Sequence, residues 1–295
     1  MLGKATFALN EVPETTPLAD APAVVTIERE VQYGRGIVSS TTSPTERPLA
    51  LDLYHPPKEA RHAGPQPALA LAFGGAFHRG SKDDDSFEVD GRRNSAIAEY
   101  CEAFARRGYV CAAVDYRLTP EDPDPGPVGA VADAASIPRS RIDEVRRLLG
   151  LGPATAEQLW RGVEAAANDL AAAIAYLGDN ARALGIDQDR IAVGGWSAGA
   201  RTALNAAFAK RAKVRAVISL SGFMATEDIR RLIIRSPSAP ALFLAWGERD
   251  LDYVRMQGPI LSRHLAQEGL DFEAVELPGE THFYDKTAGT RLPAM

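Results

Sequence analysis

The sequence predicts an α/β fold: a mostly parallel sheet with helices on both faces. Two observations carry that expectation. Short apolar runs recur from about residue 68 onward, at 68–73, 109–114, 190–195, 214–220, 241–246 and 271–277. Each has the length and content of a strand buried on both faces. Between them lie stretches of helical periodicity, at 94–107, 165–177, 198–211 and 253–267. Strand and helix alternating at this spacing is the signature of βαβ units.

The first elements are of another kind. Residues 24–33 and 49–54 are β-branched and partly alternating, with the polar stretch 39–48 between them, which predicts an antiparallel pair. Residues 1–22 are rich in Pro, Thr and Ala without periodicity and read as an extended arm; 23–295 reads as a single domain. A chain of 295 residues with 45% hydrophobic and 24% charged residues is long enough for one large core, so disorder as the main state is excluded. The formal net charge of −6 lacks the basic footprint of a nucleic-acid binder.

Two cysteines, Cys101 and Cys111, exclude a disulfide framework and are too few for the usual zinc-site spacings; they read as reduced, buried thiols. No apolar run approaches the ~18 residues of a membrane span. Residues 1–20 lack the apolar core of a secretory signal, so a cytoplasmic location is the default expectation. Oligomeric state is not readable from the sequence.

The segment 119–164 breaks the rhythm. It opens with Pro120, Pro123, Pro125 and Pro127 and carries a charged helical pattern at 140–149. A connection this long is usually functional or has structure of its own. Leaving the carboxyl end of a parallel strand, it is placed to hang over the crevice where such sheets bind ligands, as a lid or substrate wall; a solvated decoration is the alternative.

The residues able to do chemistry follow the strands. Gly195-Trp196-Ser197-Ala198-Gly199 is a Gly-x-Ser-x-Gly pattern lying between an apolar strand and an Ala-rich helix. That is the context of a nucleophile elbow, in which the serine is exposed at the top of the sheet. Serine needs a base. Of five histidines, His55 and His62 lie near prolines ahead of the first buried strand and His264 is mid-helix. His282 follows the last strand through a short loop and is the expected base. Asp250, just past the strand 241–246, is the expected carboxylate that orients the imidazole, with Asp252 and Glu248 as nearby substitutes. Oxyanion donors are expected from the backbone N–H of Ala198 and from the turn Gly74-Gly75-Ala76-Phe77, with Gly75 and Ala76 assigned and Gly74 serving mainly the turn. Phe77 and His78 are candidate substrate contacts. Trp196 either lines the pocket or packs beneath the elbow. The run Lys82-Asp83-Asp84-Asp85 reads as a solvated loop close to the oxyanion turn.

Phe-Gly-Gly-Ala-Phe at 73–77, Asp115-Tyr116-Arg117-Leu118-Thr119-Pro120, Gly-Ile-Asp-Gln-Asp-Arg-Ile-Ala at 185–192 and Gly-Trp-Ser-Ala-Gly together resemble the hormone-sensitive-lipase-like and related carboxylesterases of the α/β-hydrolase superfamily. The resemblance covers roughly residues 50–285. It implies the α/β-hydrolase fold with a mostly parallel eight-stranded sheet, hydrolysis of small-molecule esters through Ser197, His282 and Asp250, and no metal or cofactor. It also implies that Asp115 and Arg117 are structural supports. The sequence departs from the family where Phe73 and Ala76 replace the first and last residues of the usual His-Gly-Gly-Gly, and where Ala200 replaces a common glycine. Few residues lie between Gly222 and Pro240, so a large cap there is not expected, which suggests short to medium acyl chains. An arylformamidase-like or other amide hydrolase, and a catalytically silent binding protein on the same fold, are the alternatives.

Overall fold

A computed structural model describes residues 24–286; the arm expected at 1–22 lies outside them. The strands are β1 (Thr26–Val38), β2 (Thr45–His55), β3 (Gln66–Ala72), β4 (Glu88–Val89), β5 (Arg92–Arg93), β6 (Val110–Val114), β7 (Ile186–Trp196), β8 (Ala216–Leu220), β9 (Ala241–Arg249) and β10 (Phe272–Thr281). The helices are α1 (Ile97–Ala105), α2 (Ser140–Leu148), α3 (Ala156–Asp179), α4 (Ala181–Leu184), α5 (Ala198–Leu204), α6 (Thr226–Leu232) and α7 (Asp252–Glu268).

Eight strands form one sheet in the order β1-β2-β6-β3-β7-β8-β9-β10. The pairs β1–β2 and β2–β6 are antiparallel, and every pair from β6 to β10 is parallel. All seven residues of β3 and all five of β6 are buried. Successive side chains of a strand point to opposite faces, so a wholly buried strand requires cover on both. The sequence's small residues suit this: Ala68, Ala70, Ala72, Ala112 and Ala113 let helices approach the sheet closely. Because the parallel strands share one direction, the turns after β3, β7, β8 and β9 open on the same edge, and the functional residues collect there.

Several boundaries differ from expectation. The antiparallel pair reaches further into its turn, leaving only 39–44 unpaired. Helix α3 begins nine residues earlier than its alanine run, at Ala156, behind a cap at Thr155, whose hydroxyl accepts the Gln158 N–H while the Gln158 side chain accepts the Thr155 N–H. This reciprocal cap is a start signal that outranks the apolar pattern. The small hairpin β4–β5 turns on Asp90-Gly91, both at positive φ, as a two-residue hairpin turn requires. Helix α6, between β8 and β9, was not expected. The helix predicted over 198–211 is α-helical only to Leu204 and continues as a π-turn over Asn205–Ala209. Cys101 and Cys111 are both free and buried, facing each other between α1 and β6.

Among the described residues, no helix is long and apolar enough to cross a membrane, and no group of three or more His, Cys, Asp or Glu could hold a metal ion.

Candidate active site

Ser197 is the first residue past β7 and sits at φ 56°, ψ −114°. A non-glycine residue is rarely held there, and such strain is stored at sites where the surroundings over-determine the backbone. The flanking glycines explain how the turn is reached. A Cβ on Gly199 would lie 1.9 Å from the Ala72 carbonyl oxygen, and one on Gly195 would lie 2.4 Å from the same atom. The start of α5 therefore packs directly on the backbone of β3, and Ser197 is lifted to the sheet edge.

His282 follows β10 and is buried, as is Asp250 in the turn after β9. His282 Nε2 lies 2.8 Å from Ser197 Oγ, and its Nδ1 lies 2.6 Å from Asp250 Oδ1. Three side chains from the ends of three strands are thus joined in one line of hydrogen bonds. Asp250 Oδ1 also accepts the Leu251 N–H at 2.7 Å, and Oδ2 accepts the Ser221 hydroxyl at 2.5 Å and the Gly247 N–H at 3.1 Å. Burial pushes this carboxyl up, yet the facing imidazole and the hydrogen bonds from His282, Ser221 and Gly247 outweigh it and hold it below its ordinary value. Asp250 is therefore ionised at neutral pH. The Ser221 hydroxyl in turn meets Tyr284 Oη at 2.9 Å. Neither Ser221 nor Tyr284 was foreseen; the only sequence signal is that each follows a strand end or the base itself. Of the substitutes considered for Asp250, Glu248 accepts the Gly279 N–H and Asp252 opens α7 beside Arg255, and neither reaches His282.

The turn after β3 is built from below. Asp85, fully buried, accepts the Gly74 N–H through Oδ2 (2.8 Å) and the Ile97 N–H, the first of α1, through Oδ1 (2.7 Å). Burial raises its carboxyl to about 6 against the pull of those two N–H groups. Lys82 is buried too, with its ammonium between Glu30, Asp52 and Asp83. The run 82–85 is thus solvated only at Asp83 and Asp84: the two end residues fold inward, where charge pairs and backbone donors satisfy them. Gly75, Ala76 and Phe77 all have positive φ (113°, 58° and 61°). Among the described residues, no hydrogen bond uses the N–H groups of Gly75, Ala76 or Ala198. Phe73, where the resembled family has histidine, stacks on Tyr116 with ring centroids 4.1 Å apart, and the Tyr116 hydroxyl donates to the Phe73 carbonyl at 2.7 Å.

A cleft opens over Ser197, lined also by Ala76, Phe77, Ala198, Ser221 and Phe223 on the core side. Ile137, Pro138, Arg141 and Ile142, from the segment expected to hang over the crevice, form its other wall. Arg201 and Tyr253 complete it; of the lining residues, only Ser197, Ala76, Phe77 and Ala198 are ones the sequence singles out. His78 and Trp196, each open from the sequence to a ligand or a structural role, do not line the cleft. His78 is buried, with Nδ1 2.6 Å from the Ala76 carbonyl and Nε2 2.9 Å from Arg146 of α2. Burial lowers its pKa to about 4, so it is neutral. It links the turn to α2 and does not face the cleft. Trp196 packs beneath the elbow: its indole N–H donates to the His282 carbonyl at 3.1 Å, its ring lies 5.1 Å from the imidazole, and a Cβ on Gly74 would strike it at 2.1 Å. Gly75 is set back from the cleft, its carbonyl taken by His78 and Arg79.

Asp115 pairs with Arg47, and Arg117 forms a buried two-pronged pair with Asp169 of α3. Both side chains brace the backbone next to the turn, away from the reacting atoms.

A family model described as BD-FAE matches residues 160–230, from α3 through the elbow to α6. No curated protein matches the chain. Among solved structures, esterase 2 of Thermogutta terrifontis, phosphorylated by paraoxon, aligns with TM-score 0.54 at 18% identity over 88% of this chain and 84% of that one. MGS-M1, an α/β-hydrolase enzyme from a Medee basin deep-sea metagenome library, aligns with TM-score 0.53 at 16% identity over 88% and 84%. A truncated carbohydrate esterase from gut microbiota aligns with TM-score 0.57 at 15% identity over 89% and 91%. The chain has the α/β-hydrolase fold, and two of these neighbours of that fold, from Thermogutta terrifontis and from gut microbiota, are esterases.

Proposed function

We propose that the protein is a serine hydrolase of carboxylic esters working through an acyl-enzyme. The observation that carries the reading is the unbroken line Ser197–His282–Asp250 at 2.8 and 2.6 Å, opening on a cleft beside unengaged backbone N–H groups. Ser197 Oγ attacks the ester carbonyl carbon as His282 Nε2 takes its proton. Asp250, held ionised, keeps the Nδ1–H tautomer in place and stabilises the imidazolium. The oxygen that gains charge is received by the N–H groups of Ala76 and Ala198, with Gly75 behind them; losing one such donor typically costs ~100–1,000-fold in rate. His282 then returns the proton to the departing alcohol. Water, activated by the same imidazole, releases the acid and regenerates Ser197.

The esterase neighbours support the reaction class, and the wall formed by Ile137, Pro138 and Ile142 supports short to medium acyl groups. A p-nitrophenyl ester series from two to twelve carbons tests this: turnover with an optimum at the short end is expected. Turnover of formamides with none of any ester would replace the reading by an amide hydrolase.

A further inference from the structure

Arg201 is 3% exposed, lines the cleft with Ser197, and lies one helical turn further along α5, where its N–H donates to the Ser197 carbonyl. Its Nε and Nη2 are buried without a hydrogen-bond partner. Leaving a guanidinium in that condition is costly unless something supplies the missing acceptor, because a buried charge is normally paired and hydrogen-bonded. Neither of the carboxylates near it hydrogen-bonds to it. Asp228, which exerts the strongest electrostatic pull on Arg201, gives Oδ1 to the Ala132 N–H and to Arg231. Its Oδ2 is likewise buried without a hydrogen-bond partner and does not reach Arg201 within hydrogen-bonding distance. Glu164 receives Lys210 and the N–H groups of Gly129, Ala130 and Val131. On the opposite wall stands a second guanidinium, Arg141, whose ion pair among the described residues is with the half-exposed Glu144. The cleft therefore offers positive charge from two sides and no carboxylate along its lining.

We propose that the ester this site accepts carries a carboxylate, and that the Arg201 guanidinium binds it beside Ser197. The proposal rests on Ser197 being the esterase nucleophile. Planar bidentate pairing with a carboxylate satisfies the guanidinium edge that the protein leaves without a hydrogen-bond partner. It also makes the site select against neutral esters, since a neutral substrate would bury that edge with nothing to receive it.

The test compares kcat/KM, by titration of released acid, for monomethyl succinate against methyl pentanoate and for acetoxyacetate against propyl acetate. Each rate is divided by that ester's rate in alkali. The first pair places the carboxylate in the acyl half, the second in the alcohol half. The expected result is a preference of about ten- to hundredfold for the anionic member of one pair, the size of a charge-assisted hydrogen-bonded contact. Arg201→Gln is expected to bring that ratio to about one or below, and Arg201→Lys to recover part of it. Inhibition of p-nitrophenyl acetate turnover by succinate but not by succinamide is expected in the wild type and needs no variant to fold. Neutral esters turned over with no preference in either pair would overturn the proposal and leave the esterase reading standing; Arg201 would then be satisfied through water by Asp228. Wild type that neither turns over any ester nor reacts with a fluorophosphonate would overturn the esterase reading itself.

Discussion

Single residues near Ser197 are held by backbone chemistry as much as by side chains. Asp85 accepts two buried N–H groups, one from the turn after β3 and one from the start of α1. Asp85→Ala leaves both unsatisfied at ~1–3 kcal/mol each, so a loss of roughly 2–5 kcal/mol is expected, read by denaturant unfolding. Ala76 occupies a left-handed conformation that costs a non-glycine residue about 1–2 kcal/mol. Ala76→Gly is accordingly expected to be neutral or stabilising by up to about 1 kcal/mol. Gly75→Ala, whose Cβ would meet the Arg79 carbonyl at 2.0 Å, is expected to lower both stability and turnover. The Ser-x-x-x-Arg spacing that sets Arg201 one turn beyond Ser197 is plain in the sequence. Its meaning is not, because an arginine on a helix is ordinarily a solvated one.

At the scale of elements, the strands were legible because five parallel pairs bury them on both faces and make them continuous apolar runs. Elements defined by local hydrogen bonding were harder to see. The start of α3 is set by Thr155 and Gln158, and β4–β5 by Asp90-Gly91; both are turn or cap chemistry that apolar periodicity does not register. Ser197, His282 and Asp250, which the structure brings within hydrogen-bonding distance, could be singled out because each follows a strand end. The wall residues were not, since the path of a 40-residue connection depends on contacts distant in sequence. One such contact, His78 to Arg146, couples α2 to the turn after β3. Its folded pKa of about 4 lies below the usual 6.5, so the unfolded chain binds the extra proton first. Stability from this group is present above about pH 6.5 and is lost as pH falls toward 4, by roughly 2–4 kcal/mol. Asp85, raised to about 6, acts oppositely: its contribution is full below its unfolded pKa and fades as pH rises through 6. The His78 effect is therefore read as the difference between wild type and His78→Gln, which should converge as pH falls from 7 to 4.

For the molecule as a whole, the long segment after β6 is tied to the sheet by a few buried charges. Arg117 pairs with Asp169 of α3 and donates to the carbonyls of Ile37 and Asp124, joining the end of β1 to the segment's first turn. Arg117→Met strands the Asp169 charge and is expected to cost about 3–5 kcal/mol, seen as a lower Tm, whereas replacing both partners by apolar residues should recover much of it. The fold that these braces complete brings the carboxyl ends of β7, β9 and β10 together, and with them Ser197, Asp250 and His282. The most direct test of that convergence is intact-mass and peptide analysis after treatment with a fluorophosphonate, run alongside ester turnover on wild type and Ser197→Ala. One label per chain, mapped to Ser197, with labelling and turnover both lost in the variant, is the predicted result. A wild type that takes no label and turns over no ester, or a Ser197→Ala protein that does both as well as wild type, would contradict it.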